Sequence, residues 1–208
     1  PQNILIDPHA DVVKICDFSL ARHLLVSSEN LTRRVASLWY RSPEILLGGD
    51  PAGMILDMWS AGCVFGEMLQ NSPVFPGGSE IETLFLQFKL LGTPDEASWP
   101  GVSDLPHWSS EFPHFRMAAD GLACIAGADR ATKHLLAGLL RGNPGMRLSA
   151  ESTLGHVYFA DLDRSVHAEE PQGGAPLATP RGSEAAHAEP TAGRGGLGCA
   201  AGGRARDA

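Results

Sequence analysis

Positive charge is scarce in this sequence. Its 208 residues hold 16 Lys and Arg against 24 Asp and Glu, a formal charge of −8, and the pI is about 5.4. A broad basic face for nucleic acid or for an acidic membrane is therefore not expected. Long apolar runs are also missing. The best candidate, Ile55 to Leu69, is interrupted by Asp57 and Glu67. It falls short of the roughly 18 residues that read as a membrane span. Cysteine is sparse: Cys16, Cys63, Cys124 and Cys199 lie far apart, with no CxxC or CxxH pair among them. That spacing argues against structural zinc and for reduced thiols in an intracellular setting. The eight His show no ligand spacing. No signal peptide is readable at the start, where the first residue is Pro rather than Met. No internal repeat is visible.

Hydrophobic residues make up 43% of the chain, enough to build a core and to exclude a wholly disordered polymer. The length suits one domain with a tail. Composition shifts sharply after residue 164. Residues 165–208 contain 9 Gly, 11 Ala and 4 Pro, against Val166, Leu177 and Leu197 as the large apolar side chains. Such a segment cannot bury enough surface to offset its ordering entropy. The expectation is a folded body over 1–164 and a disordered tail over 165–208.

Within the body, Asn3–Asp7 and Val12–Cys16 are short β-prone runs around a Pro8-His9-Ala10-Asp11 turn, which predicts a hairpin. Leu20 to Leu38 lacks periodicity and reads as a loop. Helices follow. Ser42-Pro43-Glu44 opens a very short one, with Ser42 as cap, Pro43 in the first turn and Gly48 at the end. Asp57 to Leu69 is apolar nearly all round, the pattern of a buried helix. Ser79-Glu80-Ile81-Glu82 is a capping box opening a helix with Ile81, Leu84, Phe85, Phe88 and Leu91 on one stripe. Gly92-Thr93-Pro94 ends it. Pro100, Pro106 and Pro113 mark a loop anchored by Trp99, Trp108, Phe112 and Phe115. Asp129 and Ser149 are candidate caps for two further helices, the first carrying Leu135, Leu136, Leu139 and Leu140.

Several phrases in this order resemble one family. Pro1-Gln2-Asn3, Asp17-Phe18-Ser19, Trp39-Tyr40-Arg41-Ser42-Pro43-Glu44, Asp57-Met58-Trp59-Ser60-Ala61-Gly62-Cys63 and Asn143-Pro144-Gly145-Met146-Arg147 are similar to the C-terminal lobe of a eukaryotic protein kinase. Phe75-Pro76-Gly77-Gly78-Ser79-Glu80-Ile81 and Leu91-Gly92-Thr93-Pro94-Asp95-Glu96 resemble the cyclin-dependent branch. MAP kinases carry Thr-x-Tyr in the activation segment, whereas Thr32-Arg33-Arg34 has Arg at that place. Val35-Ala36-Ser37 leans the other way. The resemblance covers about residues 1–162. It implies a mainly α fold, the kinase C-terminal lobe, with a small β-hairpin at its start.

The same resemblance implies a chemistry. Phosphoryl transfer rests on positioning and charge neutralisation. Asn3 and Asp17 match the residues that hold Mg²⁺, a cation that takes hard oxygen ligands. Taken alone, both residues would read as turn formers. Gln2 and Leu5 match the ribose contact and the floor beneath the adenine of ATP. Ser19 stands where the family has Gly, a restriction at a switch that normally needs backbone freedom. Thr32 matches the activating phosphothreonine and Arg22 one of its guanidinium partners; without the resemblance, Thr32 is an exposed loop residue. Ser37 matches the hydroxyl residue that contacts the catalytic carboxylate. Val35, Ala36 and Arg41 match the pocket for the residue after the target Ser or Thr. Proline has no N–H to leave unpaired there, so a Ser/Thr-Pro substrate is expected. Glu44 and Arg147 match a buried ion pair and Asp57 a brace of the catalytic loop, both scaffold roles.

The partners implied are a cyclin and, at the helix beginning near Ser79, a small Cks-type docking protein, an expectation weakened by Gly78 where the family usually has Asp. Neither nucleic acid nor membrane is expected. Cytoplasm or nucleus is the compartment the family suggests, and the cell cycle its process. The family's catalytic Asp, phosphate-contacting Lys, glycine-rich loop and cyclin-binding helix find no match in these residues. The 208-residue chain is therefore expected to be a fragment and inactive alone. The rival expectation is a non-catalytic pseudokinase remnant that serves as a protein-interaction module.

Overall fold

The computed structural model describes residues 1–9, 12–19, 21, 37–50, 53–117 and 128–162. Arg22, Thr32, Val35, Ala36 and the expected tail over 165–208 lie outside the described residues. Residues Pro1–Leu162 form one unit.

The chain opens with strand β1 (Ile4–Asp7) paired antiparallel to β2 (Val12–Ile15). Ile4 faces Ile15 and Asp7 faces Val12 across the ladder. Asp7 ties the turn by accepting the His9 N–H at 3.0 Å. The β-prone runs that predict the hairpin form it, yet their apolar residues are not buried. Leu5, Ile6, Val13 and Ile15 are all more than half exposed. A two-stranded ribbon of this length is marginal by itself, so these apolar faces are an unmet demand for a partner.

The helical body begins with a 3-10 turn at Leu38–Tyr40 and a single helical turn, α1 (Pro43–Leu46). Ser42 occupies the cap position, but its hydroxyl makes no capping bond; it is buried with no partner among the described residues. Pro43, lacking an N–H to satisfy, starts the turn instead.

Helix α2 (Ile55–Gln70) corrects the expectation of all-round burial. Its buried residues are Trp59, Gly62, Cys63 and Gly66, a single stripe at helical spacing, while Met68 is 71% exposed. Asn71 ends it in the left-handed region at φ 54. The glycines in the stripe allow close approach: a Cβ on Gly66 would sit 2.7 Å from Val74 Cγ2.

Helix α3 (Glu80–Leu91) starts at the predicted cap, with the Ser79 hydroxyl accepting the Glu82 N–H at 3.2 Å. The return bond differs from a standard box. The Glu82 carboxylate accepts the Gly78 N–H at 2.8 Å rather than that of Ser79. Gly77 is needed just before it, because a Cβ there would lie 2.5 Å from the Thr83 backbone N. The predicted stripe also shifts. Ile81 is 47% exposed, and the buried face is Thr83, Leu84, Gln87 and Phe88. Two polar residues enter the core because each has a bond to make. The Thr83 hydroxyl donates to the Ser79 carbonyl, and the Gln87 amide donates to the Arg41 carbonyl.

Helices α4 (Arg130–Leu139) and α5 (Ala150–Leu154) are capped by Asp129 and Ser149, which accept the N–H of Thr132 and Ser152. Leu135, Leu136 and Leu139 of α4 are buried together with Leu140.

Two clusters make the core. One joins Leu46 and Leu47 to Leu84 and Phe88, with Trp99, Trp108, Phe112 and Phe115 against it, so the Pro-rich loop is anchored by its aromatics. The other joins Trp59 and Cys63 of α2 to Phe75 and to Leu136 and Leu140. The Trp59 and Phe75 rings stack at 5.7 Å. Each such side chain contributes about 1.5–3 kcal/mol on burial. No helix among the described residues is long and apolar enough to cross a membrane.

Candidate functional site

The hairpin register builds the first group of residues. With Ile4 opposite Ile15, Asn3 lies opposite Cys16, whose N–H donates to the Asn3 carbonyl at 2.9 Å. Asp17 follows at once and turns left-handed, at φ 62. Few residues with a Cβ take that conformation, and Asp is among those that tolerate it best. The bend returns its carboxylate toward the chain, where it accepts the Ser19 N–H at 3.2 Å. The Ser19 hydroxyl and N–H hold the Asp17 carboxyl below the usual carboxylate range, with a smaller contribution from the Asn3 side chain. Strand pairing thus brings Asn3 and Asp17 side by side.

An amide oxygen and a carboxylate kept ionised form a hard-oxygen donor pair, which suits Mg²⁺. Two protein ligands fit a cation that keeps waters and takes its remaining ligands from phosphate. Among the described residues no cluster of three His, Cys, Asp or Glu could hold a metal by itself. Gln2 and Leu5 flank the pair and are exposed, Leu5 at 54%.

The second group lies on the segment entering α1. Ser37 is exposed and accepts the Tyr40 N–H through its carbonyl at 3.0 Å. Each residue after Leu38 is then held from a different element. The Trp39 indole N–H donates to the Gly77 carbonyl at 2.9 Å. The Tyr40 hydroxyl donates to Glu67 of α2 at 2.7 Å, and the Ser60 hydroxyl donates to the Tyr40 carbonyl. Burial, together with Glu67, pushes the Tyr40 phenol well above its ordinary range. Gln87 of α3 fixes the Arg41 carbonyl at 2.8 Å, and the Arg41 guanidinium meets Glu80 at 2.7 Å.

The third group is a buried anchor. Arg147 sends two parallel bonds to the Glu44 carboxylate, both 2.8 Å, from a side chain that is 0% exposed. Its remaining donors reach the carbonyls of Ile55, Arg141 and Gly142. The guanidinium also lies 5.1 Å from the Trp59 ring. Asp57, in the first turn of α2, is exposed overall, yet partial burial pushes its carboxyl up.

Glu67, Glu80 and Gln87 are site residues that sequence reasoning missed. Glu67 stands out only as a charge interrupting an apolar run, and Glu80 only as part of the capping sequence at Ser79. Gln87 left one signal: with Thr83 it makes a polar pair four residues apart inside an apolar helix. The Ser19 hydroxyl on Asp17 was equally unforeseen, Ser19 having been weighed only as a loss of backbone freedom.

The hairpin pair, the clamped segment and the buried Arg–Glu anchor recur in sequence order along most of the chain. The chain belongs to the protein kinase family: the family model described as Protein kinase domain matches residues 1–159. That membership places it among the protein kinases, a class of transferases that generally use ATP and Mg²⁺.

Proposed function

We propose that the chain is the helical, C-terminal-lobe portion of a cyclin-dependent-type protein serine/threonine kinase directed to Ser/Thr-Pro. The observation that carries the proposal is the hairpin register, which sets Asn3 beside an Asp17 kept ionised. These two would hold Mg²⁺, which when bound neutralises the charge of the triphosphate. Asp17 stays anionic because the Ser19 N–H and hydroxyl favour its charged form. Leu5 offers an exposed apolar surface at the hairpin, suited to the face of a base. The clamped backbone of Trp39–Arg41 supports a rigid rim for a substrate chain, with Arg41 as the residue that disfavours an N–H after the target. Thr32, with Arg22, is the proposed phosphorylation switch. A cyclin and a Cks-type protein at the start of α3 are the proposed partners, and cytoplasm or nucleus the proposed compartment.

The exposed apolar faces of the hairpin support a further part of the reading, since a second kinase lobe would cover them. The catalytic carboxylate of the resemblance has no match here either. A polypeptide of these residues alone is therefore expected to transfer no phosphate. One observation favours the non-catalytic reading as the second choice. The Ser19 hydroxyl engages the same carboxylate that a metal would need.

The test is to read the coding sequence 5′ of Pro1, express the extended enzyme with a cyclin, and assay it on a peptide library. Phosphorylation that depends on Asp17 and favours Pro after the target is the expected result. Activity indifferent to Asp17→Ala, or no preference for Pro, would sink the proposal. An extended enzyme with no activity at all would favour the interaction module.

A further inference from the structure

A cavity of about 1100 Å³ opens between the C-terminal half of α3, helix α4 and the Pro144–Met146 turn. It is remote in sequence from the hairpin pair. Phe88, Leu91, Trp99, Ala137 and Leu140 make its wall, with Met146 at the edge. Phe88 and Leu140 are nearly inaccessible, so behind this wall the core is closed. Its size is at the upper end for pockets that take a small organic molecule.

One further feature gives it a ligand chemistry. The rim is cationic. Arg130, Lys133 and Arg141 line the cavity, and among the described residues none of them pairs with a carboxylate. Among the described residues, Asp95 is the one carboxylate on the lining.

We propose that this cavity binds an anionic amphiphile. The ligand has an apolar ring or chain body for the wall and one acidic group for the cationic rim. Apolar walls set the capacity, while the few polar groups set orientation.

The probe is 8-anilinonaphthalene-1-sulfonate, which carries an aromatic body and a sulfonate. The full 208-residue chain is titrated with it and followed by fluorescence. One saturable site per chain is expected. Ala137→Trp, which fills the cavity, removes it. Arg130→Glu combined with Lys133→Glu, on the accessible side of α4, weakens binding at least tenfold with the helical circular dichroism unchanged. The neutral analogue N-phenyl-1-naphthylamine also binds at least tenfold more weakly. A signal that does not saturate, or that survives Ala137→Trp, belongs to other exposed apolar surface such as the hairpin and overturns the proposal. Equal binding of the neutral analogue, or none of the loss on charge reversal, refutes the cationic rim. The measurement needs no kinase activity, so its outcome is separate from that of the kinase reading.

Discussion

Replacing Glu44 with Ala strands a guanidinium in the core. Arg147 is fully buried and spends two of its donors on that carboxylate, both at 2.8 Å. The other three bonds go to carbonyls, which carry no countercharge. Removing one partner of such a pair costs about 3–5 kcal/mol, most of it the unpaired buried charge. The Trp59 ring at 5.1 Å offsets little of this, at about 0.5–2 kcal/mol. A domain of this size has about 5–15 kcal/mol in all, and each kcal/mol moves Tm by about 2–4 °C. Glu44→Ala should therefore lower Tm by about 6–20 °C. The reverse deletion, Arg147→Met, should cost less than Glu44→Ala, because the remaining Glu44 keeps some access to water, at 7% side-chain exposure. The double variant Glu44→Ala/Arg147→Met should recover much of the loss, since no charge is then stranded. Urea unfolding of the four proteins forms a double-mutant cycle. A Glu44→Ala cost below about 1 kcal/mol, or strictly additive single costs, would refute the assignment of this pair as the anchor between α1 and the turn before α5.

Three further outcomes follow from the same geometry. Ser19→Gly should raise the Asp17 pKa toward its ordinary value, because both the hydroxyl contact and the ordered N–H that hold it low are weakened; an unchanged NMR titration of the Asp17 carboxyl carbon would contradict this. Ser79→Ala removes the acceptor for the Glu82 N–H at the start of α3 and should cost about 1 kcal/mol, read as a lower urea midpoint with an unchanged slope. Asp17, Asp95, Glu96 and Asp129 all titrate below their ordinary values, chiefly through bonds from Ser19, Ser98, Ser103 and Thr132. Their contribution is present above the unfolded-state values of about 3.9–4.3 and is lost as pH falls through the depressed folded-state values. The urea midpoint should thus fall on acidification from pH 6 to pH 3, and Ser98→Ala should make that fall smaller; a flat profile would exclude the linkage.

Much of the local structure is written in short-range signals. The hairpin follows from two β-prone runs around Pro8, and the helix starts follow from Ser79, Asp129 and Ser149, because a cap acts within three residues of itself. The aromatic anchors of the Pro-rich loop were readable because Trp and Phe carry the largest apolar surface and bury it where they can. The order of the short motifs was enough to suggest the kinase lobe, and with it the residues on either side of the hairpin.

What the tertiary structure alone decided are contacts between distant residues and the choice of which face is buried. Arg41 meets Glu80 across 39 residues and Gln87 across 46, and nothing local pairs either of them with Arg41. Thr83 and Gln87 are buried although polar, and Ile81 is exposed although apolar, because the carbonyls of Ser79 and Arg41 meet the one side and solvent the other. Ser42 has the right residue type for a cap but not the bond, since the chain enters α1 buried and Pro43 starts the turn. Helix α2 looked apolar on every side, yet only the stripe facing Phe75 and α4 is covered. Propensity and capping depend on a few neighbouring residues and can be read in order; burial depends on what else the chain brings to the same place, which is a property of the packed whole.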